Sequence, residues 1–148
     1  MYKKAIFILL VLVINACNLK NTVQAAEEDD FEVHRLVIQM NKGDEHLQSE
    51  VITNIVNISK YFGVDNVEIE LVAYGKGIYF LTKESPFRAR IESLMMQDVV
   101  FTACEDTINT LKRTKGLELN LIDGVETVPN GIPHIMLLQE KGYTYFSP

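Results

Sequence analysis

Val99-Val100-Phe101-Thr102-Ala103-Cys104, followed at once by Glu105-Asp106-Thr107 (residues 99–107), is the joint from which the fold can be read. An apolar run of strand length, Val99 to Ala103, ends at Cys104. The polar triplet after it opens a helical pattern, with Ile108 and Leu111 inward and Gly116 as the stop. A strand apolar on both faces must be covered on both faces. The same unit recurs on either side. Leu36 to Met40 is a strand, and Asn41 to Asp44 is a loop ending in a helix cap. Leu47, Val51, Ile55, Ile58 and Phe62 form the inner face of a helix that Gly63 ends. Val67 to Ala73 is the second strand, broken by Tyr74 to Gly77. Ile78 to Leu81 is a short apolar segment of about one helical turn. Ser85 and Pro86 then start a helix, as N-cap and first helical residue, with Phe87, Ile91, Leu94 and Met95 apolar. Leu117 to Ile122 reads either as a loop or as a short helical turn. Val125 to Val128 is a fourth strand. Pro133 starts the last helix, with Ile135, Met136 and Leu138 apolar, and Tyr143 to Phe146 is a final short strand.

Parallel strands need crossover helices, so this alternation predicts an α/β protein. The expected architecture is a three-layer α/β/α sandwich with a mainly parallel sheet of about five strands. The 148 residues suffice for one such domain, and a hydrophobic content of 47% fits a packed core. The formal charge of −6 comes from 14 basic against 20 acidic side chains. Lys3, Lys4 and Lys20 lie in the first 25 residues, so the remainder is more acidic still. Such a surface repels phosphate backbones, and no basic stripe offsets it, which argues against nucleic-acid binding.

The start of the chain reads as a targeting segment. Met1 to Lys4 is basic, and Ala5 to Ile14 is an unbroken apolar run, shorter than the about 20 residues of a membrane span. Residues 1–25 are expected to be a signal peptide, cut after Val23-Gln24-Ala25. An alternative is a lipoprotein signal, residues 1–16, with Ile14-Asn15-Ala16-Cys17 as the box and Cys17 lipidated. Both stay open. Residues 26–32 are an acidic flank expected to be flexible, and residues 33–148 form the domain. The expected location is outside the cytoplasm, in the periplasm or lipid-anchored in the cell envelope.

Ligands of open parallel sheets bind at the carboxyl ends of the strands. Four segments fall there: Asn41 to Asp44, Tyr74 to Gly77, Cys104 to Thr107 and Val128 to Gly131. Their candidate rim residues are Asn41, Gly43, Tyr74, Gly75, Gly77, Thr107, Pro129 and Gly131. Cys104 is the candidate nucleophile. Once Cys17 is removed or lipidated, it is the one thiol left, with no internal disulfide. A helix N-terminus favours an anion there, whereas Glu105 and Asp106 oppose one. The competing reading is an inert core cysteine. His46 and His134 stand in the first turns of helices and are candidate bases for the thiol, although such histidines are more often solvated or capping. No His or Cys pair has metal-ligand spacing, so no metal is expected. Gly75 and Gly77 form a bare G-x-G without the rest of a dinucleotide fingerprint, and no cofactor is expected.

Leu36-Val37-Ile38-Gln39-Met40-Asn41 with Gly43-Asp44, Asn66-Val67-Glu68-Ile69, and Ala73-Tyr74-Gly75 with Gly77 resemble the DsrE/DsrF-like family. So do Phe101-Thr102-Ala103-Cys104 with Thr107, Val128-Pro129 with Gly131-Ile132, and Leu138-Gln139 with Gly142-Tyr143. The resemblance covers Val33 to Pro148. It implies a small α/β/α domain, often a homo-oligomer (trimer or hexamer), and in several members a cysteine that relays sulfane sulfur as a persulfide. That cysteine matches Cys104. The implied reading is a sulfur carrier or sulfurtransferase-like protein with a donor or acceptor protein as partner. The alternative is a non-catalytic small-ligand-binding or assembly module in which Cys104 is structural. The familiar relay proteins are cytoplasmic, so an exported member would meet other partners.

Overall fold

The computed structural model describes residues 33–148. The signal peptide, the lipidation alternative at Cys17 and the acidic flank lie outside the described residues. Five parallel strands form one sheet: β1 (His34–Met40), β2 (Val67–Ala73), β3 (Val100–Cys104), β4 (Glu126–Val128) and β5 (Thr144–Phe146). Their order across the sheet is β4-β3-β2-β1-β5. The helices are α1 (Glu45–Phe62), α2 (Arg88–Met95), α3 (Glu105–Lys115) and α4 (Gly131–Glu140), with 3-10 segments at Val64–Asn66 and Gly75–Leu81.

The order explains the layers. From β1 to β4 the chain steps each time to the next strand in one direction. Right-handed crossovers therefore keep α1, α2 and α3 on one face. To reach β5 the chain must return past all four strands, and the same handedness puts α4 on the opposite face. Two separate apolar clusters record this. Val51, Ile52 and Ile55 of α1 and Ile91 and Leu94 of α2 pack with Ile38, Leu71 and Phe101 on the first face. On the second face, Ile135 and Leu138 of α4 pack on Val37 and Val72, with Tyr74 and Tyr143 at the margin. Among the described residues no helix is long and apolar enough to cross a membrane.

Local chemistry sets the ends of the elements. Asp44 caps α1 by accepting from the Leu47 amide at 2.8 Å. Gly116 ends α3 in the left-handed conformation, at φ 65°. Ser85 and Pro86 do not begin a helix, as their order suggested. The Ser85 hydroxyl accepts from the Phe87 amide at 3.2 Å and the Ser85 carbonyl from Arg88 at 3.1 Å. These bonds close a turn, and α2 starts only at Arg88. Leu117 to Ile122 is extended chain, tied to the 3-10 segment by an antiparallel bridge between Leu121 and Thr82.

Gly75 and Gly77 have a backbone reason. Gly75 sits at φ 53°, where side chains are strained. Gly77 lies against the end of β1, and a Cβ there would overlap the Met40 carbonyl. Gly77→Ala is expected to destabilise the fold by about 1–3 kcal/mol or more, since backbone rather than a flexible side chain must move. Urea unfolding of the variant checks this, and an unchanged midpoint refutes it.

At the amino ends of β1 and β2, Arg35 Nε donates to Glu68 at 2.9 Å and the Tyr143 hydroxyl donates to the same carboxylate at 3.0 Å. These donors, Arg35 first, hold Glu68 below the usual carboxylate range. Burial, then the Glu68 carboxylate, pushes the Tyr143 phenol up to about 12. The folded value lies above the unfolded one, so the neutral phenol's contribution is complete below the unfolded value. It is lost as pH rises through about 12. Absorbance titration of wild type minus Tyr143→Phe should show one phenol ionising near 12. A difference curve centred near 10 contradicts it.

Candidate functional site

Cys104 occupies a special point of this topology. The loops leaving β1, β2 and β3 turn to the face of α1, α2 and α3, whereas the loop leaving β4 turns to the face of α4. β3 and β4 are neighbours, with Cys104 paired to Val128. The crevice where adjacent strands send their loops to opposite faces is where open α/β sheets bind ligands. Cys104 is the last residue of β3 and the N-cap of α3.

The surroundings of Cys104 come from distant parts of the chain. Alternation along β3 puts Cys104 on the same face as Thr102, beneath α4. The first turn of α4 lies over it. A Cβ built on Gly131 would stand 3.4 Å from the Cys104 Cβ, 3.3 Å from Tyr74 Cδ1 and 3.4 Å from Val72 Cγ1. Glycine thus permits close approach of the α4 backbone to the cysteine. Cys104 is left 5% exposed, a free and nearly covered thiol. Its side chain makes no capping hydrogen bond to α3.

The four rim loops are linked by backbone. The Gly75 amide donates to Thr107 Oγ1 at 3.2 Å, and the Tyr74 amide to the Met40 carbonyl at 3.0 Å. Gly43 faces Lys76, and the Asp106 amide donates to the Pro129 carbonyl at 3.2 Å. The last contact uses one of the early α3 amides on protein. Glu105 is turned away toward β4, where its carboxylate accepts from Thr127 Oγ1 at 2.8 Å. Burial raises the Tyr74 phenol above its ordinary value, against a hydrogen bond with Asn41. Asn41 and Tyr74 are therefore neighbours on this rim. A shallow cavity of about 280 Å³ opens beside it, lined by Gly75, Lys76, Tyr79, Thr107 and Lys115 among others.

The two histidines have other partners. His46 has a side chain 84% exposed, with Nδ1 3.5 Å from Glu50 Oε1 one turn along α1. His134 lies beneath α4 with Nε2 2.6 Å from Glu70 Oε1. The same Glu70 oxygen accepts from Thr102 Oγ1 at 2.6 Å. Glu70 on β2, Thr102 on β3 and His134 on α4 form a largely buried polar trio next to the cysteine. Glu70 was not singled out from the sequence. The available signal was that Glu70 is the second acid of the strand Val67 to Ala73 and lies among its apolar residues, where a covered carboxyl needs a partner.

A family model for the DsrE/DsrF-like family matches residues 34–148. The chain belongs to the DsrE/DsrF-like family. This family is associated with sulfur relay. Among solved structures, MTH1491 from Methanobacterium thermoautotrophicum, a protein of unknown function, is 31% identical with a TM-score of 0.70. The match covers 78% of this chain and 99% of that one. Two more distant proteins share the fold. The ychN protein of E. coli is 18% identical, with a TM-score of 0.62 and coverage of 78% and 99%. BT1422 from Bacteroides thetaiotaomicron, a conserved protein of unknown function, is 15% identical, with a TM-score of 0.54 and coverage of 77% and 94%. No curated protein matches the chain. In this DsrE/DsrF-like chain Cys104 and the Glu70 trio share one face of the sheet.

Thr102→Val and His134→Ala should each destabilise the fold by about 1–3 kcal/mol, because each removes a donor from a buried carboxyl. Both act on the same oxygen, so a double-mutant cycle by urea unfolding should show a coupling of about 0.5 kcal/mol or more. Strict additivity contradicts a shared role.

Proposed function

We propose that this protein is a sulfur carrier or sulfurtransferase-like protein that holds sulfane sulfur as a persulfide on Cys104. The observation that supports it most is the position of this thiol at the switch point between β3 and β4, in a family associated with sulfur relay. The step needs one nucleophilic sulfur and no metal. The Cys104 thiolate attacks the outer sulfur of a donor persulfide or polysulfide. A new S–S bond forms on Cys104, the donor's S–S bond breaks, and the donor leaves as a thiolate. Transfer to the acceptor repeats the exchange in the other direction, with no external oxidant or reductant. A carrier is expected to present an accessible thiol, whereas Cys104 is 5% exposed, so this reading requires the cover to open for each exchange.

Donor and acceptor are proposed to be proteins that meet the rim formed by Asn41, Gly43, Tyr74, Gly75, Gly77, Thr107, Pro129 and Gly131. Self-association belongs to the same reading. Met136 and Leu137, beyond the first turn on the outer side of α4, are large, apolar and exposed, as an oligomer contact would require. Export, with either processing of residues 1–25, is part of the proposal, and the intact mass of the mature protein tests it.

Incubation of the native protein in a Cys17→Ser background with inorganic polysulfide should add the mass of one sulfur when Cys104 is present and nothing to Cys104→Ser. Added sulfur should leave on treatment with cyanide or a dithiol. A wild type that gains no sulfur while still folded removes this reading. It leaves the module in which Cys104 is structural, for which Cys104→Ser loses stability but keeps any rim ligand.

A further inference from the structure

The Glu70–Thr102–His134 trio has no part in the exchange chemistry, yet it is the best-anchored polar feature near the cysteine. We propose that it is a clamp on the first turn of α4, and that this turn is a movable cover whose opening controls access to Cys104. Glu70 and Thr102 stand on the two central strands β2 and β3, which are fixed by ladders on both sides. His134 is the only member on the moving element, and its Nε2 reaches Glu70 Oε1 at 2.6 Å. One turn earlier, Gly131 lies against Cys104, Tyr74 and Val72. Release of His134 therefore frees the part of α4 that covers the thiol.

The balance of contacts favours this end of α4 as the one that opens. The second face of the sheet holds a small apolar cluster, Val37, Val72, Ile135 and Leu138, against the much larger cluster on the first face. Ile135 and Leu138 grip the middle and far part of the helix. The first turn carries Ile132 and Pro133, both exposed, and its only buried residue is Gly131, which has no side chain to bury. Apart from its own backbone, that turn is tied down by His134 and by the Pro129 carbonyl's bond from Asp106. Elements with few buried apolar contacts open well below the global unfolding free energy. Cys104→Ser would not disturb the clamp, since Cys104 makes no bond to the trio's hydrogen-bonded atoms. The inference is independent of what Cys104 carries.

Iodoacetamide labelling of native full-length protein carrying Cys17→Ser, so that Cys104 is the one thiol, read by intact mass over time, measures cover opening directly. His134→Ala should raise the Cys104 labelling rate about tenfold or more, and His134→Gln, whose amide can still donate to Glu70, should bring it back toward wild type. Ile91→Val, which loosens the opposite face, should change it less than about threefold. Equal acceleration by His134→Ala and Ile91→Val, or no difference between His134→Ala and His134→Gln, overturns the clamp. Wild type supplies a second test that needs no variant. The His134 amide, bonded to the Asn130 carbonyl at 3.2 Å, should exchange with deuterium through the same opening that limits Cys104 labelling. Labelling that follows global unfolding in urea, with no separate local opening, also overturns the proposal. Polysulfide loading is read as a separate mass change, so failure of the carrier reading and failure of the clamp are told apart.

Discussion

Among the described residues, one helix covers the second face of the sheet. The chain spends α1, α2 and α3 on the first face while it steps from β1 to β4, and only α4 remains for the return to β5. Everything unusual about the candidate site follows from that shortage. The cover over the end of β3 is one helical turn, the apolar cluster beneath it is small, and a polar trio does part of the holding. A glycine at the start of α4 is needed because the backbone itself must touch Val72, Tyr74 and Cys104.

A carboxyl under a helix is a costly thing to hold a fold with. Glu70 loses most of its hydration, and each missing partner would leave that loss uncompensated. Thr102 and His134 supply donors to a single oxygen, and no buried side-chain polar atom among the described residues is left without a partner. Apolar side chains at all three positions together could serve stability as well or better. What the polar trio adds is direction. Apolar packing lets α4 slide, whereas a hydrogen bond to one oxygen sets where His134, and hence Gly131 three residues earlier, must lie. The arrangement thus trades some stability for placement of the turn over Cys104.

Much of this was readable from the chain, element by element, and the gaps have physical causes. The helical period of Val51, Ile55 and Ile58 and the apolar runs of the central strands are local, and both appear as expected. The inner face of α1 also buries Gln48, Ile52 and Ser59, and the Gln48 side-chain amide donates to the Lys42 carbonyl at 3.1 Å. Ser85-Pro86 carries a helix-start pattern, but a turn uses the same hydroxyl and carbonyl first. The rim was legible because carboxyl ends of parallel strands must share one edge. The contents of the rim were not. Whether Cys104 is open or covered depends on Gly131, and whether His134 faces sulfur or carboxyl depends on Glu70, 64 residues away. Those are tertiary facts, decided by which face α4 crosses.

The cover changes how the cysteine's chemistry has to be understood. At the sequence level the start of α3 offers donors to a thiolate, with two acids opposing it. In the fold, Glu105 is turned to Thr127, and the Asp106 amide is bonded to Pro129. Two of the groups beside the thiol, the Glu105 carboxylate and the Asp106 amide, thus already have protein partners in the closed form. In the proposed opening the loop carrying Pro129 moves with the first turn of α4, so the bond from the Asp106 amide breaks as the sulfur is uncovered.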